Sequence, residues 1–173
     1  MRDPRTLGSD QLLAIVEGAR WSGIKGRVPE SAEVVDVPVA DETVALAIVE
    51  VRFPAGTHEH YLIALAGDEP EDAFDRPEVA ARIAALAGVG AEGARVRPVG
   101  VEQSNSSVVL DELHVMKLYR RLEAGPNPEL EVLRTLATAG FANAPRLEGV
   151  LETAGPPLET ALASITALVP ATG

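Results

Sequence analysis

Cysteine is absent from the 173 residues, which removes disulfides and thiolate metal sites from consideration. Aromatic residues are scarce, 3% of the chain against 46% apolar, so a core has to be built from Ala, Val, Leu and Ile. No basic run offsets a net charge of −11, and binding to a nucleic-acid backbone or an anionic membrane is disfavoured on that ground. No apolar run approaches the ~20 residues of a membrane span, and Met1 to Gln11 carries no apolar signal core. The expected location is therefore cytoplasmic, with neither nucleic acid nor membrane as a partner. A chain of this length forms one domain or two small ones and buries roughly 70% of its unfolded surface.

What is present reads as an α+β chain. Ser9-Asp10-Gln11 can cap a helix to about Ala19, with Leu12, Leu13, Ile15 and Val16 as its apolar face. A basic turn, Arg20 to Arg27, holds the single tryptophan, Trp21. Ala32 to Val39, Thr43 to Phe53 and Glu59 to Ala66 read as three strands joined by tight turns, an antiparallel meander covered on one face by that helix. The acidic stretch Asp68 to Asp72 reads as a solvated loop. Pro77 to Leu86 is a short helix, and the Gly/Ala-rich stretch Val89 to Arg95 is the best boundary. Two units are expected, 1–93 and 94–173.

The second unit opens with a strand near Arg95 to Gly100. A polar loop, Gln103 to Ser107, leads into Val108-Val109-Leu110. Asp111-Glu112 can turn the chain, and Leu113 to Tyr119 returns as a strand. Asn127 is a good N-cap and Pro128 suits the first helical turn. Glu129 and Glu131 complement the helix dipole. Arg146 to Leu151 and Glu159 to Val169 complete the set as strands.

The lysine strand carries the chemistry. Both faces of Leu113 to Tyr119 are largely apolar, so it should be central in its sheet, and Lys117 must snorkel to water or meet an anion. A phosphate is a suitable anion, and Glu131 could orient the ammonium. With a two-residue turn at Asp111-Glu112, Val108 faces Val115, and the two make an apolar ceiling beside Lys117 suited to an adenine ring. The loop Gln103, Ser104, Asn105, Ser106 and Ser107 would then cover the phosphates with N–H groups and small side chains. Taken one at a time, each feature also fits a plainer role: a snorkelling lysine, a dipole-complementing carboxylate, an ordinary loop. Their joint order favours the nucleotide reading.

Four stretches resemble the N-terminal portion of actinobacterial maltokinases and the related glucosamine kinases, sugar kinases of the aminoglycoside-phosphotransferase-like branch. Arg20-Trp21-Ser22-Gly23-Ile24-Lys25-Gly26-Arg27 is similar to their R-W-F-x-G-K-G-R cap motif, with Ser22 in place of Phe and Ile24 before Lys25. Glu102 to Ser107 resembles their E-Q-S-N-[ST]-S loop, and Met116-Lys117-Leu118 the strand bearing the ATP lysine. Arg120 to Glu131 resembles R-x-L-x-x-G-x-N-P-[DE]-x-E. The resemblance implies a cystatin-like cap, a helix on a curved antiparallel sheet, followed by a kinase-like small lobe of about five antiparallel strands and one orienting helix. It implies ATP and Mg²⁺ as cofactors, with Lys117 on the α/β-phosphates, Glu131 paired to it, and backbone groups near Leu168 and Val169 at the adenine edge.

The same resemblance places the catalytic base and the Mg²⁺ ligands in a C-terminal lobe, in H-x-D-x-x-x-x-N and D-x-[DE] segments that these residues do not contain. His114 precedes Val115-Met116 rather than such a motif, and His58-Glu59-His60 reads as a solvated strand start. No catalytic residue is assigned within 1–173. The expectation is the cap and ATP grip of a glucosamine or maltose kinase, inactive by itself. The alternative is a free-standing, non-catalytic binding or regulatory module derived from such a kinase. The cap is a candidate homodimerisation unit.

Overall fold

A computed structural model describes residues 2–99 and 104–169. It is α+β, with two antiparallel sheets and three α-helices among the described residues.

Helix α1 (Ser9–Gly18) starts where Gln11 turns its side-chain oxygen back to the Gly8 N–H, 3.1 Å away. Leu12 and Val16, four residues apart and both fully buried, set its packing face. It lies on strand β1 (Ser31–Ala40), where the Ala32 N–H donates to Ser9 Oγ at 2.9 Å. Register irregularities on either side of Asp36 bend β1, which gives the expected curved sheet. Strands β2 (Ala45–Arg52) and β3 (His58–Leu65) continue the meander in unbroken register. Period-2 alternation divides their side chains. Ala47, Val49, Val51, Tyr61 and Ile63 pack with α1 and Trp21, while Leu46, Ile48, Leu62 and Ala64 face the other way.

That second face is shared with the rest of the chain. Helix α2 (Pro77–Leu86) buries Val79, Ala80, Ile83 and Ala84 in the same core. So do Val108, Leu110, Met116, Leu118 and Ile165 of the second sheet. This five-stranded sheet runs β4 (Val96–Val99), β5 (Asn105–Leu110), β6 (His114–Tyr119), β9 (Thr160–Ala167) and β8 (Leu147–Thr153) in spatial order, all antiparallel. Helix α3 (Pro128–Thr138) lies in sequence between its third and fourth strands.

The two sheets are joined more closely than a meander followed by a second sheet suggests. After β6 the chain crosses at Arg120 and adds a short strand, β7 (Arg121–Leu122), to the edge of β3. The Leu62 N–H donates to the Arg120 carbonyl at 2.8 Å, and the Arg120 N–H to the Ser104 carbonyl at 3.2 Å. The cap sheet therefore has four strands, the fourth supplied from the second half of the chain. No helix among the described residues is long and apolar enough to cross a membrane.

Candidate functional site

Lys117 sits on β6, the middle strand of the five, as the apolar flanking pattern predicts. Its ammonium lies 3.0 and 3.1 Å from the two carboxylate oxygens of Glu129. The paired carboxylate is thus Glu129, not Glu131, and the expectation for Glu131 is corrected here. Asn127 caps α3, its side-chain oxygen accepting from the N–H groups of Glu129 and Leu130. Leu130, fully buried, fixes the rotation of the helix. Residues on either side of it lie about 100° away in opposite directions, so only one flank can reach β6. Glu129 takes that flank, while Glu131 is exposed and its carbonyl accepts from Thr135 Oγ1 at 2.8 Å.

Tyr119 shares the Lys117 face. Its hydroxyl lies 3.0 Å from Ser164 Oγ and 3.4 Å from Glu129. The lysine and glutamate side chains keep 22% and 45% of their surface accessible. An ion pair that open stabilises by ~0–1 kcal/mol at most. It orients the ammonium yet can be exchanged for a stronger anion.

The apolar wall differs from expectation by one residue. The hairpin between β5 and β6 pairs Leu110 with His114, so three residues, Asp111 to Leu113, make the loop. Asp111 and Glu112 have φ of 52° and 56°, and the Asp111 side chain holds the Arg95 N–H at 2.9 Å. A shift of one residue moves every β5 side chain to the opposite face. Val108 consequently pairs with Met116 in the shared core, and the residue opposite Val115 on the Lys117 face is Val109. The predicted pairing of Val108 with Val115 is corrected to Val109 with Val115.

The polar loop is also shorter than expected. Asn105, Ser106 and Ser107 belong to β5 and pair with Tyr119, Leu118 and Lys117. Ser107 is directly across from Lys117. Ser106 points to the other face, where its hydroxyl accepts from Arg120 Nε at 2.8 Å, so it is not a phosphate-covering side chain. Asn105 and Ser106 instead line a cavity of about 610 Å³ shared with Ile15, Trp21 and Asp72 of the cap. Ser104 is exposed, and Gln103 lies outside the described residues. At the far end of β9, the Leu168 N–H is taken by the Leu113 carbonyl at 2.7 Å, and Val169 is exposed.

Arg120, which no local residue pattern marks as buried, is the largest fully buried side chain among the described residues. It pairs with Asp72 of the acidic stretch at 2.8 Å and donates to the Leu62 carbonyl at 3.1 Å. Its guanidinium lies between the rings of Trp21 and Phe74, at 4.9 and 5.0 Å from their centroids. Asp72 is therefore a structural anion rather than part of a solvated loop. The sequence signal is the place of Arg120 at the head of the Arg120 to Glu131 stretch, and nothing in that stretch marks Asp72 as its partner.

A central-strand lysine, an orienting carboxylate at the start of the following helix, and an apolar wall beside them define a kinase-like small lobe, here preceded by a cap. No protein-family model matches the chain. Among solved structures it is similar to a glucosamine kinase captured with glucosamine, ADP and inorganic phosphate. The TM-score is 0.66 at 19% identity, over 97% of this chain and 40% of that one. Two further crystal forms of glucosamine kinase align with TM-scores of 0.60 and 0.58 at 20% and 21% identity. They cover 91% and 98% of this chain, and 41% and 38% of their own. The likeness is one of fold, and this chain spans about two fifths of the length of these neighbours.

Proposed function

We propose that residues 1–93 are the cap and 94–173 the nucleotide-gripping small lobe of an ATP-dependent sugar kinase, with glucosamine as the favoured acceptor. The observation that carries this is the ammonium of Lys117, held on the middle strand by Glu129 and flanked by Val109 and Val115. ADP and phosphate in a structural neighbour support the nucleotide, and its glucosamine supports the acceptor. Lys117 would bind the α/β-phosphates, with Glu129 keeping it extended over the sheet. Val109 and Val115 would cover the adenine, and backbone groups around Val169 would meet its edge. Leu168 would contribute through its carbonyl, since its N–H is already engaged.

The residues around Lys117 suit phosphate better than metal. They offer an ammonium and hydroxyls, and their one carboxylate in contact with Lys117 is committed to it. Mg²⁺, which would neutralise phosphate charge, would thus be held by carboxylates of a lobe outside these 173 residues, and the base for the sugar hydroxyl would come from there too.

The test is a methyl-resolved NMR titration of the 173-residue chain with ADP. Shifts are expected at Val109 and Val115, lost in Lys117→Met, reduced in Glu129→Gln and retained in Glu131→Gln. Equal responses in Lys117→Met and the parent chain would overturn the site. ADP release by the chain alone with glucosamine would overturn its assignment as one part of the catalytic unit.

A further inference from the structure

We propose that Glu50, His58 and His60 form a binding site for a divalent transition metal, zinc or nickel in type, at the end of the cap sheet nearest the crossover strand. This inference does not rest on the nucleotide site.

The three residues come from two strands. His58 and His60 are two apart on β3 and share a face, and Glu50 on β2 is the direct cross-strand partner of His60. One ligand atom from each lies within 4.8 Å of the others. His60 Nε2 and Glu50 Oε2 are 3.3 Å apart. That is about the spacing of two donors on one tetrahedral ion with bonds of ~2.0–2.1 Å. The His58 ring meets the His60 ring edge-on at 5.3 Å, so a side-chain rotation brings its nitrogen in as the third ligand.

The carboxylate is already oriented. Arg52 Nε donates to Glu50 Oε1 at 2.6 Å, which leaves Oε2 turned toward the imidazoles. An outer partner of this kind fixes a ligand and tunes its basicity. Glu50 and His60 side chains are only 14% and 13% exposed, while His58 is open to solvent. A metal can therefore enter from the His58 side, with water in the fourth position.

Two imidazoles and one carboxylate favour zinc, nickel or copper over magnesium or calcium, which take oxygen ligands. His60 also pairs across the sheet with Leu122 of β7. A bound ion would therefore clamp β2 to β3 beside the strand contributed by the second half of the chain.

The experiment is calorimetric titration of zinc chloride into the untagged chain, with cobalt absorption as a spectroscopic check. One zinc per chain is expected with a Kd below about 100 μM, weaker than closed four-ligand sites because three protein ligands hold it. His58→Ala and His60→Ala should each weaken binding at least about 10-fold, the scale on which even outer-shell losses act. The only other histidine, His114, serves as the control, and His114→Ala should bind as the parent does. Cobalt should give a visible band that zinc abolishes. Since His58 is exposed, His58→Ala keeps the fold even if His60→Ala does not. Absence of saturable binding, or unchanged affinity in His58→Ala, overturns the site.

Discussion

Replacing Arg120 with methionine keeps much of the side-chain volume and removes the charge that joins the two halves of the chain. The Arg120 side chain is 2% exposed, and its guanidinium makes polar contacts to Asp72, Ser106 Oγ and the Leu62 carbonyl. Removing one member of a buried ion pair costs about 3–5 kcal/mol, because the remaining charge stays desolvated. Here the lower part of that range applies. Asp72 keeps the Trp21 indole N–H at 3.3 Å and the N–H groups of Ala64 and Phe74 at 3.2 and 3.4 Å. Its side chain also has 17% of its surface in water. The Leu62 carbonyl loses its side-chain donor, and the stacking on Trp21 and Phe74 is worth about 1 kcal/mol, terms that overlap with the pair itself. The expected loss is about 3–4 kcal/mol, a large part of the ~5–15 kcal/mol by which domains are stable. At about 2–4 °C per kcal/mol for a chain of this size, the melting temperature should fall by about 6–16 °C.

Urea unfolding followed by far-UV circular dichroism and by tryptophan fluorescence measures this directly. Trp21 is the only tryptophan, and its ring lies over Arg120, so the fluorescence reports the same locus. Because both sheets share one core, the two probes should give coincident transitions in the parent. Adding Asp72→Asn to Arg120→Met should cost less than the sum of the single changes, since the stranded charge is then gone. A loss under about 1 kcal/mol for Arg120→Met would refute the reasoning that the guanidinium is desolvated and depends on Asp72 for its charge partner.

Two smaller perturbations test the packing around it. Asp41 accepts the N–H groups of Thr43 and Val44 at 2.7 and 2.9 Å and binds Arg82 of α2 at 2.6 Å. Asp41→Ala should cost about 1–2 kcal/mol at neutral pH in the same urea assay. Burial opposes its ionisation, but those donors outweigh it and hold the carboxyl well below its ordinary range. Its contribution is therefore full above the unfolded pKa of about 4 and is lost as pH falls toward the folded value. The gap between parent and Asp41→Ala should narrow in acid, and a gap that widens there contradicts the assignment. At Gly149 an added Cβ would lie 2.7 Å from the Ala87 carbonyl and 3.0 Å from Val89, where the end of α2 meets β8. Gly149→Ala should destabilise by about 1–3 kcal/mol, and an unchanged melting curve would show that this contact is looser than described.

Apart from the two-residue β7, the sequence alone carried the order of the helices and strands, because local chemistry sets it. Pro77 and Pro128 at helix starts, Asn127 as a cap, and glycines after turns each act within a few residues. Alternating apolar runs likewise located the strands, and two apolar faces put Lys117 on the middle one. Tertiary structure decided which side chains meet. Glu129 and Glu131 are equivalent in a list of residues, and only the docking of Leu130 chooses between them. Val108 and Val109 are likewise interchangeable until the loop length is known, and one extra loop residue reverses the face. Arg120 with Asp72, and His58 and His60 with Glu50, are separated along the chain, so no local pattern pairs them. Local interactions reach about one helical turn, whereas burial of a charge or assembly of a site depends on surfaces brought together from distant parts of the chain.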